Sequence, residues 1–394
     1  PNSFSHEVIA VSVLNKKSIS ELFTGYYGHE PVLVVQAPGR VNLIGEHTDY
    51  NGGLVLPAAI NYSTWIAVSP RTDRQLQVVA RDFDHQKVVI DLDAPMQHNR
   101  DAEWANYVSG VVQELQKKGY RLAGGNLFIS GNVPAGAGLS SSASLEVAVV
   151  RALTGLSDET IDPTEAALVG QAAENNFVGC NCGIMDQLIS ARGQESSALL
   201  IDCQDLSTRT VSIPADWEIL IVHSGVKRGL VESEYNQRRE QCETAAAYFG
   251  QQTLRGVSLP ELLAAEGKLD ELSFRRARHV LTENARTLLA ADALSAGDMS
   301  TLIKVMAESH NSMRDDFNIT TPAIDRLVAI LQAAGEGQAG ARMTGGGFGG
   351  CVVSIAPSAV IPRLVAAVNA HYQVDTGCVP TLIPAKASSG AFAG

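Results

Sequence analysis

The order of apolar and polar positions changes character part-way along the chain. In the first half, short runs rich in β-branched residues predict strands over 32–37, 64–69, 76–80, 87–92, 127–131 and 198–202. Among them, apolar residues spaced three and four apart predict helices over 104–117, after Ser142, and over 163–177. The last of these opens with Asp162 as N-cap, Pro163 at the first helical position and Glu165 in the first turn. The second half is richer in helix. Ser258-Leu259-Pro260-Glu261 has the form of a capping box, Thr321-Pro322 that of a cap followed by proline, and 274–317 reads as one or two helices. Strands over 219–223, 351–355 and 381–384 predict a sheet carrying those helices. Strand and helix signals mix without regular βαβ alternation, so the expected fold class is α+β rather than doubly wound. A chain of 394 residues exceeds one small core. A boundary near Ile213-Pro214-Ala215 would divide it into domains of 1–213 and 214–394.

Composition narrows the function. Hydrophobic residues at 45% and charged residues at 18% are an ordinary globular balance. Thirty Lys and Arg against 42 Asp and Glu leave a formal charge of -12, which argues against nucleic acid or an anionic membrane as the main partner. A small polyanionic substrate stays open, because a local constellation can oppose the global sign. Cys180, Cys182, Cys203, Cys242, Cys351 and Cys378 are scattered, unlike a disulfide framework. Cys180-Asn181-Cys182 has no second Cys or His pair at zinc spacing, so buried free thiols are expected. Residues 1–7 lack a basic region followed by an apolar core, and no run approaches the ~18 apolar residues that span a bilayer. The cytoplasm is the expected compartment.

Four stretches carry the candidate chemistry. The first, 132–144, follows a strand, precedes an apolar helix, and is built of small residues and serines. Small residues let backbone approach a ligand closely, and amide groups with a positive helix end suit phosphate. It lacks the Gly-Lys-Ser/Thr ending of a Walker loop and the Gly-x-Gly-x-x-Gly of a dinucleotide fold. The second, 37–50, places Glu46, His47 and Asp49 within four residues, a mixture of donors and acceptors suited to neighbouring hydroxyls, with Arg40 as a planar cationic fork. The third is Gly183-Ile184-Met185-Asp186-Gln187, downstream of Glu174. Apolar neighbours predict burial of Asp186, and a buried carboxylate needs a partner such as Arg40. The fourth, 342–351, has five glycines in the six residues 345–350, more than a hairpin turn requires. Taken singly, the first three admit plainer readings: a small-residue turn, a solvated polar turn, a helix-capping Asp.

Together they resemble the family of small-molecule kinases that includes galactokinase, homoserine kinase, mevalonate kinase and phosphomevalonate kinase. The loop at 134–143 is similar to its ATP-binding signature and 344–350 to its C-terminal signature. Arg40 to Tyr50, reading Arg-Val-Asn-Leu-Ile-Gly-Glu-His-Thr-Asp-Tyr, is similar to the signature of the galactokinases. The resemblance extends from about Ala37 to Cys351 and takes in 233–235 and 313–317. It implies a two-domain kinase fold of mixed sheets and helices, with the active site in the interdomain cleft.

Position by position, it implies that Gly136, Ala137, Gly138, Leu139, Ser140, Ser141 and Ser142 hold the ATP phosphates, and that Ser142 and Glu174 bind Mg²⁺. Glu46, His47, Thr48, Asp49 and Tyr235 would hold the sugar, with Gly183 approaching it through backbone. Asp186 would receive the proton of the anomeric hydroxyl of galactose, with Arg40 steadying the charge. The implied partners are galactose and ATP alone, with neither nucleic acid nor membrane, and the chain is expected to act as a monomer. Two alternatives share these motifs: a kinase for a related sugar such as N-acetylgalactosamine, and a galactose and ATP sensor without turnover.

Overall fold

The protein's computed structural model describes residues 14–134, 136–226 and 231–393, with backbone alone at 231 and 232. Ala135, inside the small-residue loop, and the 1–7 stretch lie outside the described residues.

The first part begins with helix α1 (Lys16–Tyr27) and strands β1 (Leu33–Asn42), β2 (Leu54–Val55), β3 (Pro57–Pro70), β4 (Gln75–Ala80) and β5 (Gln86–Asp91). Helix α2 (Trp104–Lys117), strand β6 (Gly125–Gly131), helices α3 (Ser141–Leu156), α4 (Pro163–Ala173) and α5 (Met185–Arg192), and strands β7 (Ser197–Asp202) and β8 (Thr208–Ser212) follow. Five strands form one sheet in the order β1-β3-β6-β4-β5, antiparallel except for the β4–β6 pair. Side chains alternate across it with period two. Ile66, Val68, Leu127 and Ile129 pack against α2 to α5, while Ala67, Phe128 and Val79 meet Ile19 and Phe23 of α1. Helices therefore cover both faces. Strands β2, β7 and β8 make a separate short ladder.

The second part holds β9 (Trp217–His223), α6 (Val231–Tyr248), α7 (Leu259–Ala264), α8 (Glu271–Ala296), α9 (Met299–Ser312) and α10 (Pro322–Gly335). It ends with β10 (Gly340–Thr344), β11 (Cys351–Pro357), α11 (Ile361–Thr376) and β12 (Thr381–Ala385). Its sheet, β10-β11-β9-β12, is antiparallel throughout. One face, with Leu220, Val222, Val352 and Leu382, packs on α6, α8, α10 and α11. The other, with Ile219, Ile221, Val353 and Ile383, enters a core shared with Val41, Leu43, Ile44 and Tyr62 of the first part.

The α+β expectation holds, with differences that matter locally. The 274–317 reading is two helices, because Gly297 takes a left-handed φ of 67° that ends α8 and Asp298 caps α9. The 163–177 reading is α4 followed by a turn of π-helix at Glu174–Val178, and α9 likewise runs into a π turn at Met313–Phe317. Such turns are frequent at functional sites, and both of these border the site described next. The strand expected at 64–69 extends over the fourteen residues of β3. None of the six cysteines is in a disulfide, as expected, but only Cys242 and Cys351 are buried, and Cys180 is exposed because it lies on the rim of a cavity rather than in a core. Among the described residues no helix is long and apolar enough to cross a membrane.

Candidate active site

The site starts from an irregularity in the first sheet. Pro38 of β1 faces Ser63 of β3, yet Arg40 faces Ala59, so Ile60, Asn61 and Tyr62 stand opposite Gly39 alone. Such a bulge re-aims the side chains beside it. Glycine is needed there, since a Cβ on residue 39 would lie 2.6 Å from the Leu139 carbonyl oxygen. That close approach lets the Arg40 amide donate to Leu139 O at 3.0 Å. The Arg40 guanidinium then grips Asp186 with two donors, Nε to Oδ1 at 2.7 Å and Nη2 to Oδ2 at 2.8 Å. Its third arm, Nη1, donates to Gly138 O at 2.6 Å. The Ser140 hydroxyl donates to Asp186 Oδ2 as well. Asp186 lies in the first turn of α5 but is not its cap, which is Ile184.

The loop leading into α3 joins the site through these contacts. Ser140 occupies the N-cap position with φ of 62°, rare outside glycine, and its side chain makes no capping bond. Strain of this kind clusters where geometry serves function. Ala137 and Leu139 turn their side chains into the shared core. To a ligand the loop therefore offers backbone and the hydroxyls of Ser140, Ser141 and Ser142, next to the positive end of a sixteen-residue helix.

A cavity of about 410 Å³ opens beside the Arg40–Asp186 pair. Of the expected site residues it is lined by Arg40, Glu46, His47, Asp49, Glu174, Gly183, Asp186 and Tyr235. Residues 136–142 border it without lining it, and Thr48 is not brought to it. The Thr48 side chain is sealed from solvent, and its hydroxyl sits between the carbonyls of Leu54 at 2.7 Å and Gly45 at 3.0 Å, which holds the turn.

The polar groups of the 46–50 turn are largely engaged by the protein itself. Glu46 Oε1 accepts from the Gly345 amide at 3.0 Å, from Thr344 Oγ1 at 3.1 Å and from Arg342 Nη1 at 3.3 Å. His47 Nε2–H donates to the Gly346 carbonyl at 3.3 Å, so Nδ1 accepts the Tyr50 hydroxyl at 2.7 Å. Burial, with His279 nearby, holds the His47 imidazole down to about 3, and it is neutral at physiological pH. Its ring lies 5.0 Å from that of Tyr235 and 4.9 Å from that of Phe317. Burial raises Tyr235 well above the usual phenol range. Asp49 is the acceptor left over. Its carboxylate sits against Gly183, where a Cβ would fall 1.8 Å from Oδ2. Burial and the charge of Asp186 push the Asp49 carboxyl up to about 6.

Glu174, in its π turn, shares a hydrogen bond with Ser142, and burial first, then the Asp186 charge, raises its carboxyl. Gln187 Nε2 donates to Glu174 Oε2 at 2.8 Å and to Glu146 Oε2 at 2.9 Å. Glu146 is fully buried, and burial first, then the Glu174 charge, pushes its carboxyl well above its ordinary value. Among the described residues no cluster of three or more His, Cys, Asp or Glu could hold a metal ion.

Comparison with known proteins decides the family. Residues 21–70 match the galactokinase galactose-binding signature, 106–194 the N-terminal domain of GHMP kinases, and 290–374 their C-terminal domain. The galactokinase of Lactococcus lactis, solved in complex with galactose, is 34% identical over 95% of this chain and 98% of its own, with a TM-score of 0.89. The chain belongs to the galactokinase family. More distant GHMP kinases share the fold. The Methanococcus jannaschii mevalonate kinase is 18% identical, covering 91% of this chain and 98% of its own, with a TM-score of 0.63. The Streptococcus pneumoniae phosphomevalonate kinase, solved with phosphomevalonate and AMPPNP, is 16% identical over 86% and 97% at a TM-score of 0.63. The galactose-binding match takes in Arg40, the β1 bulge and the 46–50 turn, and the N-terminal kinase match runs from the cavity-lining Tyr107 past Asp186.

Several residues of the site carry no local signal. Tyr107 and Asn236 line the cavity from α2 and α6, and Arg342, His279 and Glu283 stand behind Glu46 and His47. Arg342 adjoins the glycine loop, yet nothing near it in sequence points to Glu46. The nearest available hint is the unusual concentration of Arg and His on α8, which an amphipathic surface helix would not bury.

Proposed function

We propose that this site transfers the γ-phosphoryl group of ATP directly to the anomeric hydroxyl of D-galactose, with Asp186 receiving the hydroxyl proton. The reaction is ATP-dependent phosphorylation of galactose to galactose 1-phosphate, with release of ADP. The observation that carries the residue assignment is the two-pronged grip of Arg40 on Asp186, closed by Ser140 and Gly138 of the phosphate loop at the wall of the cavity. Phosphoryl transfer proceeds through a loose transition state, so alignment and charge neutralisation matter more than a strong base. Asp186 orients the hydroxyl and takes its proton late, and Arg40 places a fixed positive charge beside the acceptor oxygen and the incoming phosphoryl group.

In this reading 1–213 supplies the phosphate loop, Arg40 and Asp186, while 214–394 supplies Tyr235 and the glycine loop. Asp49 accepts from a sugar hydroxyl, and Tyr235 and the neutral His47 ring wall the pocket. Glu46 shapes that wall from behind through its bonds to the glycine loop. Thr48 supports the turn and stays off the sugar. Ser142 and Glu174 would hold Mg²⁺: both offer hard oxygen donors, and among the described residues no Lys or Arg pairs with Glu174, whose raised carboxyl a cation would relieve. Bound there, the ion neutralises charge on the ATP phosphates. The protein acts as a monomer on two small molecules in the cytoplasm.

A sugar panel with ATP and Mg²⁺, read by ³¹P NMR of the products, tests this. Phosphate should appear on the anomeric oxygen of galactose, with kcat/KM about 10⁴-fold above that for glucose, since buried polar groups penalise a misplaced hydroxyl. Comparable rates on both sugars, or no ATP consumption at all, would overturn it.

A further inference from the structure

After β12 the chain crosses back to the first part. Lys386 N–H donates to Asn61 Oδ1 at 2.8 Å, Asn61 N–H returns a bond to Lys386 O at 3.1 Å, and Ser388 N–H reaches Ala59 O at 2.9 Å. Ala387 bridges Ile60 in antiparallel fashion. This is the segment of β3 that bulges away from β1 beside Arg40. The bulge that aims Arg40 thus also exposes the backbone groups that the returning chain takes up.

Beyond it the chain meets α5. Ala391 N–H donates to Ser190 O at 2.9 Å, Phe392 N–H to Ala191 O at 3.1 Å, and Gly390 N–H to Gly193 O at 2.8 Å. The last carbonyls of a helix have no partner within it, and an eight-residue helix is marginal alone. Contact is tight, since a Cβ on residue 390 would lie 2.6 Å from both Ala191 O and Gly193 N. The Phe392 ring packs under the Arg151 guanidinium of α3, 5.0 Å to the centroid. One turn back from this end, on the same face, is Asp186. Ser190 itself donates to Pro38 O at 2.7 Å, two residues before Arg40.

We propose that residues 386–392 are a positioning strap: by closing the end of α5 they set where Asp186 stands relative to Arg40. None of the strap's residues lines the cavity beside Asp186. A short helix moves as one body, so a displacement at Ser190 and Ala191 is passed to Asp186. The inference rests on the assignment of Asp186 above.

Three variants test it: Gly390→Ala, Asp186→Asn and the double. Misplacement of a reacting group by a fraction of an ångström or more should lower kcat of Gly390→Ala about tenfold or further, with KM for galactose and for ATP within about twofold. In the Asp186→Asn background the same change should cost almost nothing, because the group being positioned is gone. Unchanged kcat with only a lowered Tm would show a purely structural role and overturn the strap. So would a rise in either KM that matches the fall in kcat, or an undiminished further loss in the double variant. Near-normal turnover of Asp186→Asn alone would instead sink the proposed mechanism, whatever Gly390→Ala does. Should Gly390→Ala fail to fold, Phe392→Ala carries the test. It should lower kcat by a few-fold at constant KM, with Phe392→Tyr restoring it by keeping the ring under Arg151. Full kcat in Phe392→Ala would overturn the proposal.

Discussion

Two arginines in this protein grip carboxylates from distant parts of the chain, and their surroundings give them opposite work. Arg40 spends two donors on the single partner Asp186, and the pair meets the cavity, with side-chain exposures of 8% and 27%. Arg342 is wholly sealed, as is Glu283. It spreads its donors over Leu43 O at 3.2 Å, Glu46 Oε1 at 3.3 Å and Ser309 Oγ at 3.1 Å, with Glu283 Oε1 at 3.8 Å. Glu283 accepts from Arg286, Ser309 and the Gly45 amide. Burial alone would raise its carboxyl, yet Arg286, His279 and Arg342 outweigh burial and hold it down to about 2. One pair leaves capacity free at the cavity wall; the other exhausts it in joining β10 to the 46–50 turn. A guanidinium fork thus serves a site or the architecture according to what is left for a ligand to use.

The largest effect should come from the open pair. Asp186→Asn keeps shape but removes the charge and the proton acceptor, and kcat should fall about 10³-fold or more while circular dichroism and nucleotide binding stay normal. Arg40→Lys loses the planar fork and should also be costly, and the double variant should lose much less than the product of the two. Near-normal turnover by Asp186→Asn would erase the contrast between the pairs.

The sealed pair should answer in stability. Glu283→Gln takes the carboxylate from Arg286 and leaves Arg342 with Glu46 alone, and should cost about 3 kcal/mol in urea unfolding. A folded pKa near 2, below the ordinary 4.5, means the contribution is complete above about pH 4.5 and is lost as pH falls toward 2. The variant should show a flatter acid limb; an unchanged one would assign the acid sensitivity elsewhere.

Between the two lie the residues proposed to hold Mg²⁺. Ser142→Ala and Glu174→Ala should each raise the Mg²⁺ concentration needed for half-maximal rate about tenfold or more, leaving the galactose KM alone. An unaltered Mg²⁺ titration would show the ligands to be elsewhere.

The smallest effect is a pH limb. Because the Asp49 carboxyl is held up to about 6, it takes its proton below that pH and would lose the anionic acceptor proposed to face the sugar. The galactose kcat/KM should drop about tenfold per pH unit below pH 6, and Asp49→Asn, already low, should flatten that limb. Persistence of the limb in the variant would assign it to another group.

Where residue type alone dictates local chemistry, the sequence was readable. Small residues and serines ahead of an apolar helix announce a phosphate loop, and period two or 3.6 marks β6 and α2 within a residue or two. The clusters at 40–50, 183–187 and 345–350 stood out because unusual residue types are concentrated there. Thr48 belonged to the same cluster, but only the fold shows its hydroxyl turned inward. Helix α6 and strand β2 went unread for opposite reasons: the one is strongly polar, the other has two residues.

By itself, then, the sequence determined most strands of the two larger sheets, several of the helices, the fold class and the clusters of unusual residue types. It did so because those features follow from side-chain chemistry and spacing within about a dozen residues. Arg40 takes Asp186, the partner that the sequence suggested, but the tertiary structure alone decided that Arg342 takes Glu46 and Glu283, and that three residues of β3 bulge opposite Gly39. It also decided that 386–392 returns to close α5. Any arginine suits any carboxylate in local chemistry. Which pair forms, and whether water or substrate can reach it, depends on the packing of segments hundreds of residues apart.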